Sequence, residues 1–556
     1  MTSDVVLRGG RIRTFTGDDR VVDALAIRHG LVLAAGSESE VSAVVRPGAR
    51  YWELDGRTVL PGINDAHLHL VWWALAAPEF CVDLSGAGDL ASLQAAVQRA
   101  PAGEWVVGRG WRETTVAELA RGSAPHRRTL DAVTGGRPAV LHHASSHSVW
   151  ANTEALCRAG VTRHTPDPPA GEIVRDADGE PTGILVESAQ DLVARLVPVP
   201  SREERLDAVV RAMARLNRLG VTSLTDPVVT PEIWDDYREL HASGRMTVRV
   251  SALRHWDWPS PTSTADGLSR DLAESGPVTG SGDDILRVGG VKLFADGVPT
   301  HCTAWMHRPY PRGGHGDLVT TGATVAERVA ALSALVATAH GRRVSVQVHV
   351  TGDRAADAVV DAIEAAAADD PWPAARHVLI HGTFLTTEVL PRLADGGIGV
   401  ITSSLMRTGS GPSMVAVLGE ERWRDAFPAR ALLDAGVCVA DSSDAPVTRP
   451  DWRRGVATFS GVPGPYAVGD LEPGQVLTRT EALRLWTTAP ARLEGTADRK
   501  GHLTAGALAD LVVLDTDPVE ASEGALLGTD AVLTVVGGRV VHDSGVVRGV
   551  GGPAGG

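Results

Sequence analysis

Apolar and polar positions alternate at both ends of the chain. DVVLRGGRIRTF, DALAIRHGLVLAAG and YWELDGRTVLPG do so near the N-terminus, LADLVVLD (508–515) and AVLTVVGGRVVHDSG (531–545) near the C-terminus. Period-two alternation broken by glycine and charged turns predicts short, half-buried strands. Neither end makes a convincing sheet by itself, so the two are expected to combine in one small β-sandwich, residues 1–58 with 496–550. The glycine-rich end, 551–556, is expected to be a disordered tail.

Between the ends the pattern changes. Apolar runs of strand length take turns with segments of helical period. The runs are LPGIND, GVTSLTDPV, TVRVSALRHW, ILRVGGVKLFADG, RVSVQVHVTGD, HVLIHG, IGVITSS and GVCVADSSDAP. The helical segments include SREERLDAVVRAMARLNRLG, PEIWDDYRELHASG, TVAERVAALSALVATAHGR, RAADAVVDAIEAAAADD, TTEVLPRLADGG, ERWRDAFPARALLDAG and TRTEALRLWTTAPARL. Eight strands taking turns with helices predict an α/β fold, a parallel (β/α)8 TIM barrel, over 59–77 and 196–495. One connection is far longer than the two to six residues of an ordinary βα loop. Residues 78–195 are therefore expected to form an inserted α+β subdomain, with strand signals in EWVVGRGW, RPAVLHH and PTGILVE and helix signals in LASLQAAVQRA and VWANTEALCRAG.

The formal net charge of −15 gives no basic face for nucleic acid. The N-terminal MTSDVVLRGGRIRTF lacks the pattern of a signal peptide, and no apolar run approaches a membrane span. Cys81, Cys157, Cys302 and Cys438 are scattered without a CxxC pair, which suits a reducing cytoplasm. The expected partner is a small-molecule substrate.

Of the 53 lysines and arginines only two are lysine, Lys292 and Lys500. Lys292 stands in the apolar run VKLF, where a charge is costly to bury. An amine can lose its proton and react, which arginine cannot do. Barrel active sites lie at the C-terminal ends of the strands. There the sequence places His67 and His69 on the first strand, Lys292 on the fourth, His349 on the fifth, His381 on the sixth and Asp444 on the eighth. Residues two apart on a strand share a face, and paired imidazoles suit a borderline metal such as zinc. A neutral lysine that captures carbon dioxide becomes an anionic carbamate able to bridge two metals, a role for a lone lysine in an arginine-dominated chain. A hydroxide held on one or two divalent metals is a nucleophile at neutral pH.

LPGINDAHLHL, GRGW, VKLFADG, HVTGDRAAD, SSDAPV and ADLVVLD, with the split terminal sandwich, resemble the amidohydrolase superfamily. Within it they resemble family 3, the YtcJ-like branch that includes N-substituted formamide deformylases. The resemblance covers nearly the whole chain. It implies metal-dependent hydrolysis of an amide or similar C–N bond. It also implies that His67, His69, Lys292, His349, His381 and Asp444 are metal ligands, with Asp444 also the general base. Many such relatives are dimers, which makes a homodimer an expectation here. The chain departs from the family pattern at two places: Ile380-His381-Gly382 stands where Glu-His-Ala is common, and Ser442 where glycine is common. A mononuclear deaminase, a lactone or ester hydrolase on the same fold and a non-catalytic scaffold are the alternatives. The deaminase usually needs a glutamate near the fifth-strand histidine, where this chain reads VTGDRA, and a scaffold would be expected to lose ligands.

The chain has 14 tryptophans against six phenylalanines and four tyrosines. Trp72, Trp73, Trp111 and Trp305 follow strand signals and are expected as an apolar pocket wall. His147 resembles a family position that faces substrate. Segment 297–317, rich in Gly, Pro and His, is expected as a mobile lid or pocket loop. Arg354 is expected to make an ion pair on a helix surface, or to bind a substrate carboxylate.

Overall fold

The computed structural model describes residues 4–549 apart from 18, 146, 169–170, 257–262, 277 and 464–470; the expected tail, 551–556, lies outside the described residues. The chain divides into two compact units, one of residues 1–69, 210–444 and 449–556, the other of 70–209 with 445–448.

In the first unit eight strands form one parallel sheet in chain order. They are β1 Ile63–Asp65, β2 Val221–Val229, β3 Arg249–Arg254, β4 Leu286–Phe294, β5 Val346–Val350, β6 Val378–His381, β7 Gly399–Thr402 and β8 Val439–Asp441. Every residue of β3, β5, β6 and β7 is buried, as expected of strands covered on both faces. β8 and β1 share no ladder among the described residues, yet three bonds bring them together. Ala66 N–H reaches the Asp441 carbonyl at 3.4 Å, Ser443 N–H donates to Asp65 Oδ1 at 3.1 Å, and Asp444 N–H donates to the His67 carbonyl at 2.8 Å. The barrel is thus nearly closed, and its seam runs through candidate site residues.

Helices start where capping chemistry permits. Thr230 caps Pro231–Ala242 with proline in its first turn, and Thr324 with Glu327 forms a reciprocal capping box on Val325–Gly341. Asp353–Asp369 buries an alanine and valine face that includes Ala355, Val359, Ala362 and Ala366. Three helical features differ from the sequence expectation. Ala265–Ser275 follows β3, where no helix was expected. Ser404–Leu418 is helical despite Gly409, Gly411 and an internal Pro412; proline in a helix interior costs about 3 kcal/mol, so burial of Leu405, Met414 and Leu418 has to offset it. The helix expected over 421–436 is split into Glu420–Arg424 and Ala429–Asp434, because Pro428 cannot continue the first and Phe427 turns at φ +55°.

The terminal strands join one another in a continuous eight-stranded sheet, where Thr58–Pro61 pairs antiparallel with Leu511–Leu514. Leu7, Leu25, Trp52, Leu511 and Leu533 share its core. The second unit has a six-stranded sheet that includes Val106–Trp111, Ala139–His143 and Pro181–Glu187, the three expected strands. No described helix is long and apolar enough to cross a membrane.

Candidate metal centre

The HLH histidines lie just past β1, in a bent segment that Leu68 N–H holds to the Thr225 carbonyl at 3.0 Å. His67 Nε2 and His69 Nε2 converge on one carboxylate oxygen, Asp444 Oδ1, at 3.4 and 3.2 Å. His67, His381 and Asp444 can each offer an atom to a common point, all within 4.8 Å of one another. The His349 ring centre is 4.8 Å from that of His381, and all of these residues are buried.

Lys292 is also buried, inside β4. The register of β4 shifts at Gly289–Gly290, where a side chain on Gly290 (φ +141°) would collide with the Ser345 carbonyl. Beyond that shift Lys292 and Phe294 share a face, with Nζ 4.8 Å from the ring centre. Burial pulls the amine down to about 7, and the charge of Asp444 partly opposes this. His67 is held well below the usual imidazole range by burial and then by Lys292, so it is neutral with a lone pair to give.

The remaining rings are oriented for ligation. His349 Nε2 lies 3.1 Å from the Gly297 carbonyl, which can only accept, so Nε2 carries the proton and Nδ1 the lone pair. His381 Nδ1 meets Ser403 Oγ at 3.0 Å, leaving Nε2 for a ligand. His381 (φ 73°) and Asp444 (φ 50°) both adopt left-handed backbone, strain of the kind that collects at functional sites. Asp444 Oδ1 and His67 Nδ1 are buried and make no hydrogen bond among the described residues. Two imidazole nitrogens crowd one carboxylate oxygen that makes no hydrogen bond among the described residues, an arrangement that a shared cation would satisfy. The donor set of imidazole nitrogen and carboxylate oxygen fits a divalent metal.

Three buried carboxylates, absent from the sequence expectation, brace this centre. Burial pushes Asp65, Asp296 and Asp441 each up to about 7. Asp65 accepts from the His67 and Ser443 amides at 3.3 and 3.1 Å. Asp441 accepts from the Ser404 and Ser442 amides, both at 2.9 Å. Asp296 takes the amides of Trp305, Thr351 and Gly352 at 2.8–3.0 Å, tying the end of β4 to the turn after β5. A signal was present for all three: an acid at the end of an apolar run, the same anomaly that marks Lys292.

The expected pocket wall fares differently. Trp111 is fully buried in the core of the second unit, edge-on to Trp150 and His143, with its indole N–H on the Leu141 carbonyl at 3.0 Å. That is a core position, because no face of the ring is left for a substrate. In the same unit Trp72 and Trp73 are half-buried on helix Leu70–Leu75, and His147 Nδ1 pairs with Glu187 at 3.0 Å. Trp305, in the first unit, is 5% exposed. The Arg354 guanidinium lies 4.4 Å over its ring, a cation–π contact where a helix-surface ion pair was expected. Segment 297–317 has its own packing: Ala304, Trp305, Met306 and Tyr310 are buried, and Tyr310 O–H donates to the Ala304 carbonyl at 2.9 Å.

Comparison with known proteins gives a consistent picture. The sequence profile of the amidohydrolase family matches residues 52–542. An N-substituted formamide deformylase of Arthrobacter pascens is 29% identical, covering 97% of this chain and 98% of its own length. The putative amidohydrolase YtcJ of Bacillus subtilis is 28% identical over 97% and 99%. The crystal structure of an uncharacterized metal-dependent hydrolase from Pyrococcus horikoshii superposes with a TM-score of 0.75 at 24% identity, over 94% of this chain and 99% of that one.

Proposed function

The chain belongs to the amidohydrolase family, and from that premise we propose that it is a metal-dependent hydrolase of a C–N bond, in an amide or an N-substituted formamide. The observation that carries the reading is the convergence of His67 and His69 on Asp444 Oδ1, with His381 beside them. The formamide deformylase that aligns with nearly the full chain supports the substrate class.

His67, His69, His349, His381 and Asp444 would hold one or two divalent cations, zinc by the chemistry of the donors. Bound there, the metal supplies Lewis acidity toward a carbonyl and a water made acidic near neutral pH. The chain's own groups do the rest. Lys292, with a pKa of about 7, has a substantial neutral fraction at physiological pH, which an ordinary lysine lacks. Its amine can add to carbon dioxide, forming an N–C bond and releasing one proton to solvent, and the resulting carbamate is an anionic ligand. Asp444 takes a proton from the attacking water and delivers it to the departing amine. Ser403 and the Gly297 carbonyl keep His381 and His349 in their ligating tautomers.

The test uses protein purified with bicarbonate and without chelators. Amine release from N-benzylformamide and a panel of N-acyl amines is measured beside metal content by mass spectrometry. Turnover that vanishes on chelation, returns with zinc and is lost in His67→Ala and Asp444→Asn is expected. Hydrolysis that survives chelation, or protein that takes up no metal, overturns the proposal.

A further inference from the structure

Lys500, the second of the two lysines, has no part in the metal centre. It lines a small, partly open pocket at the other end of the barrel, where β3 and β4 begin. We propose that this cavity binds one small monovalent anion, a halide or a short carboxylate.

The pairing of the charged side chains carries the argument. The charged lining residues are Arg249, Asp284, Arg287, Glu494, Arg499 and Lys500. Arg249 donates to both oxygens of Asp510, at 2.6 and 2.8 Å. Arg499 pairs with Asp284, and Lys500 Nζ lies 2.6 Å from Glu494 Oε2. The other oxygen of Glu494 accepts from Asn64 at 2.8 Å. Asp283, next along the chain, is turned to the Ile285 and Leu286 amides and to His241. Each carboxylate here is therefore committed. The Arg287 guanidinium has no ion pair or hydrogen bond among the described residues, and it is half-buried. Arg287 is thus the cation lining the pocket that has no acceptor beside it among the described residues.

A second observation points to a ligand. Ser251 also lines the cavity, is 3% exposed, and its Oγ makes no hydrogen bond among the described residues. A buried hydroxyl left unpaired is costly and uncommon. Gly289 keeps the space beside it clear, since a Cβ there would come within 2.4 Å of that Oγ. Ser251 and Arg287 both offer donors and lack an acceptor. An anion would accept from the Ser251 hydroxyl and give the Arg287 guanidinium a charge-assisted hydrogen bond, which water does not supply. The bound ion would tie the starts of β3 and β4 to the segment before Leu511–Leu514, a stabilising role at the barrel end remote from catalysis.

The experiment is an unfolding-temperature titration of metal-loaded full-length protein with sodium chloride and, separately, sodium acetate. Ionic strength is held constant with the sodium salt of a bulky sulfonic acid. Wild type is expected to show a saturating rise on the order of 1–2 °C. Ser251→Ala shifts the midpoint to about tenfold higher salt, Arg287→Ala abolishes the saturable rise, and Arg287→Lys retains it. Saturation with chloride alone identifies a halide site; saturation with acetate identifies a carboxylate site. All three variants keep wild-type metal content, which separates this site from the metal centre. A rise that never saturates, or one identical in wild type and Arg287→Ala, overturns the proposal.

Discussion

The Ser403 hydroxyl sits 3.0 Å from Nδ1 of His381, at the end of β7. The residue before His381 is Ile380, buried and apolar, so it offers that ring no polar partner. The hydroxyl on the next strand is placed to orient the imidazole. Ser403→Ala is expected to weaken metal binding about tenfold with little loss of stability. Competition against a fluorescent chelator measures it; unchanged affinity would show that packing alone holds the ring.

Lys292 gives the metal-free protein a pH signature. Its proton leaves at about pH 7 in the fold, against 10.5 for an ordinary lysine. Between those values the unfolded chain binds more protons, so stability rises with pH, by at most about 1.4 kcal/mol per unit. The contribution is complete above the unfolded value and lost as pH falls toward 7. Urea unfolding of chelator-treated wild type and Lys292→Met at pH 7, 8 and 9 should diverge, with wild type gaining. Parallel pH dependences would refute a neutral buried amine. In metal-loaded preparations Lys292→Ala is expected to contain less metal per chain than wild type.

Asp296 accepts three backbone amides from two segments of the site's rim. Asp296→Asn replaces one acceptor oxygen with an amide that points donors at donors. A cost of about 3 kcal/mol is expected, with new proteolytic cleavage within 297–317. Wild-type unfolding temperature and an unchanged digest would contradict the role given to this carboxylate.

Trp111 separates a core residue from a pocket wall. Trp111→Ala is expected to cost about 3–5 kcal/mol, whereas Trp111→Phe recovers much of it and keeps kcat/KM. A Phe variant that is stable yet loses turnover would return this residue to the substrate.

Much of the candidate metal centre was legible along the chain because its residues sit at or just past strand ends, and strand ends are marked by local hydrophobic pattern. His349 and His381 fall on β5 and β6 as expected. Lys292 stood out for the same reason that it titrates low: a charge inside an apolar run. Asp65, Asp296 and Asp441 carried that mark too, yet their partners lie across the barrel seam or in the next turn, and only the fold identifies them. Helix Ser404–Leu418 was hidden because glycine and proline obscure local propensity, while tertiary burial overrides it. Trp111 and Trp305 show the converse, since position after a strand says nothing about which way a ring points.

The sequence by itself determined the barrel, the ligand types and their order, because residue chemistry and the periods 2 and 3.6 are local properties. Only the tertiary structure decided that two imidazoles meet one Asp444 oxygen, that Ser403 meets His381 and that Arg287 has no counter-ion among the described residues. Those facts depend on register and closure between segments far apart in the chain, and no local pattern encodes such distances.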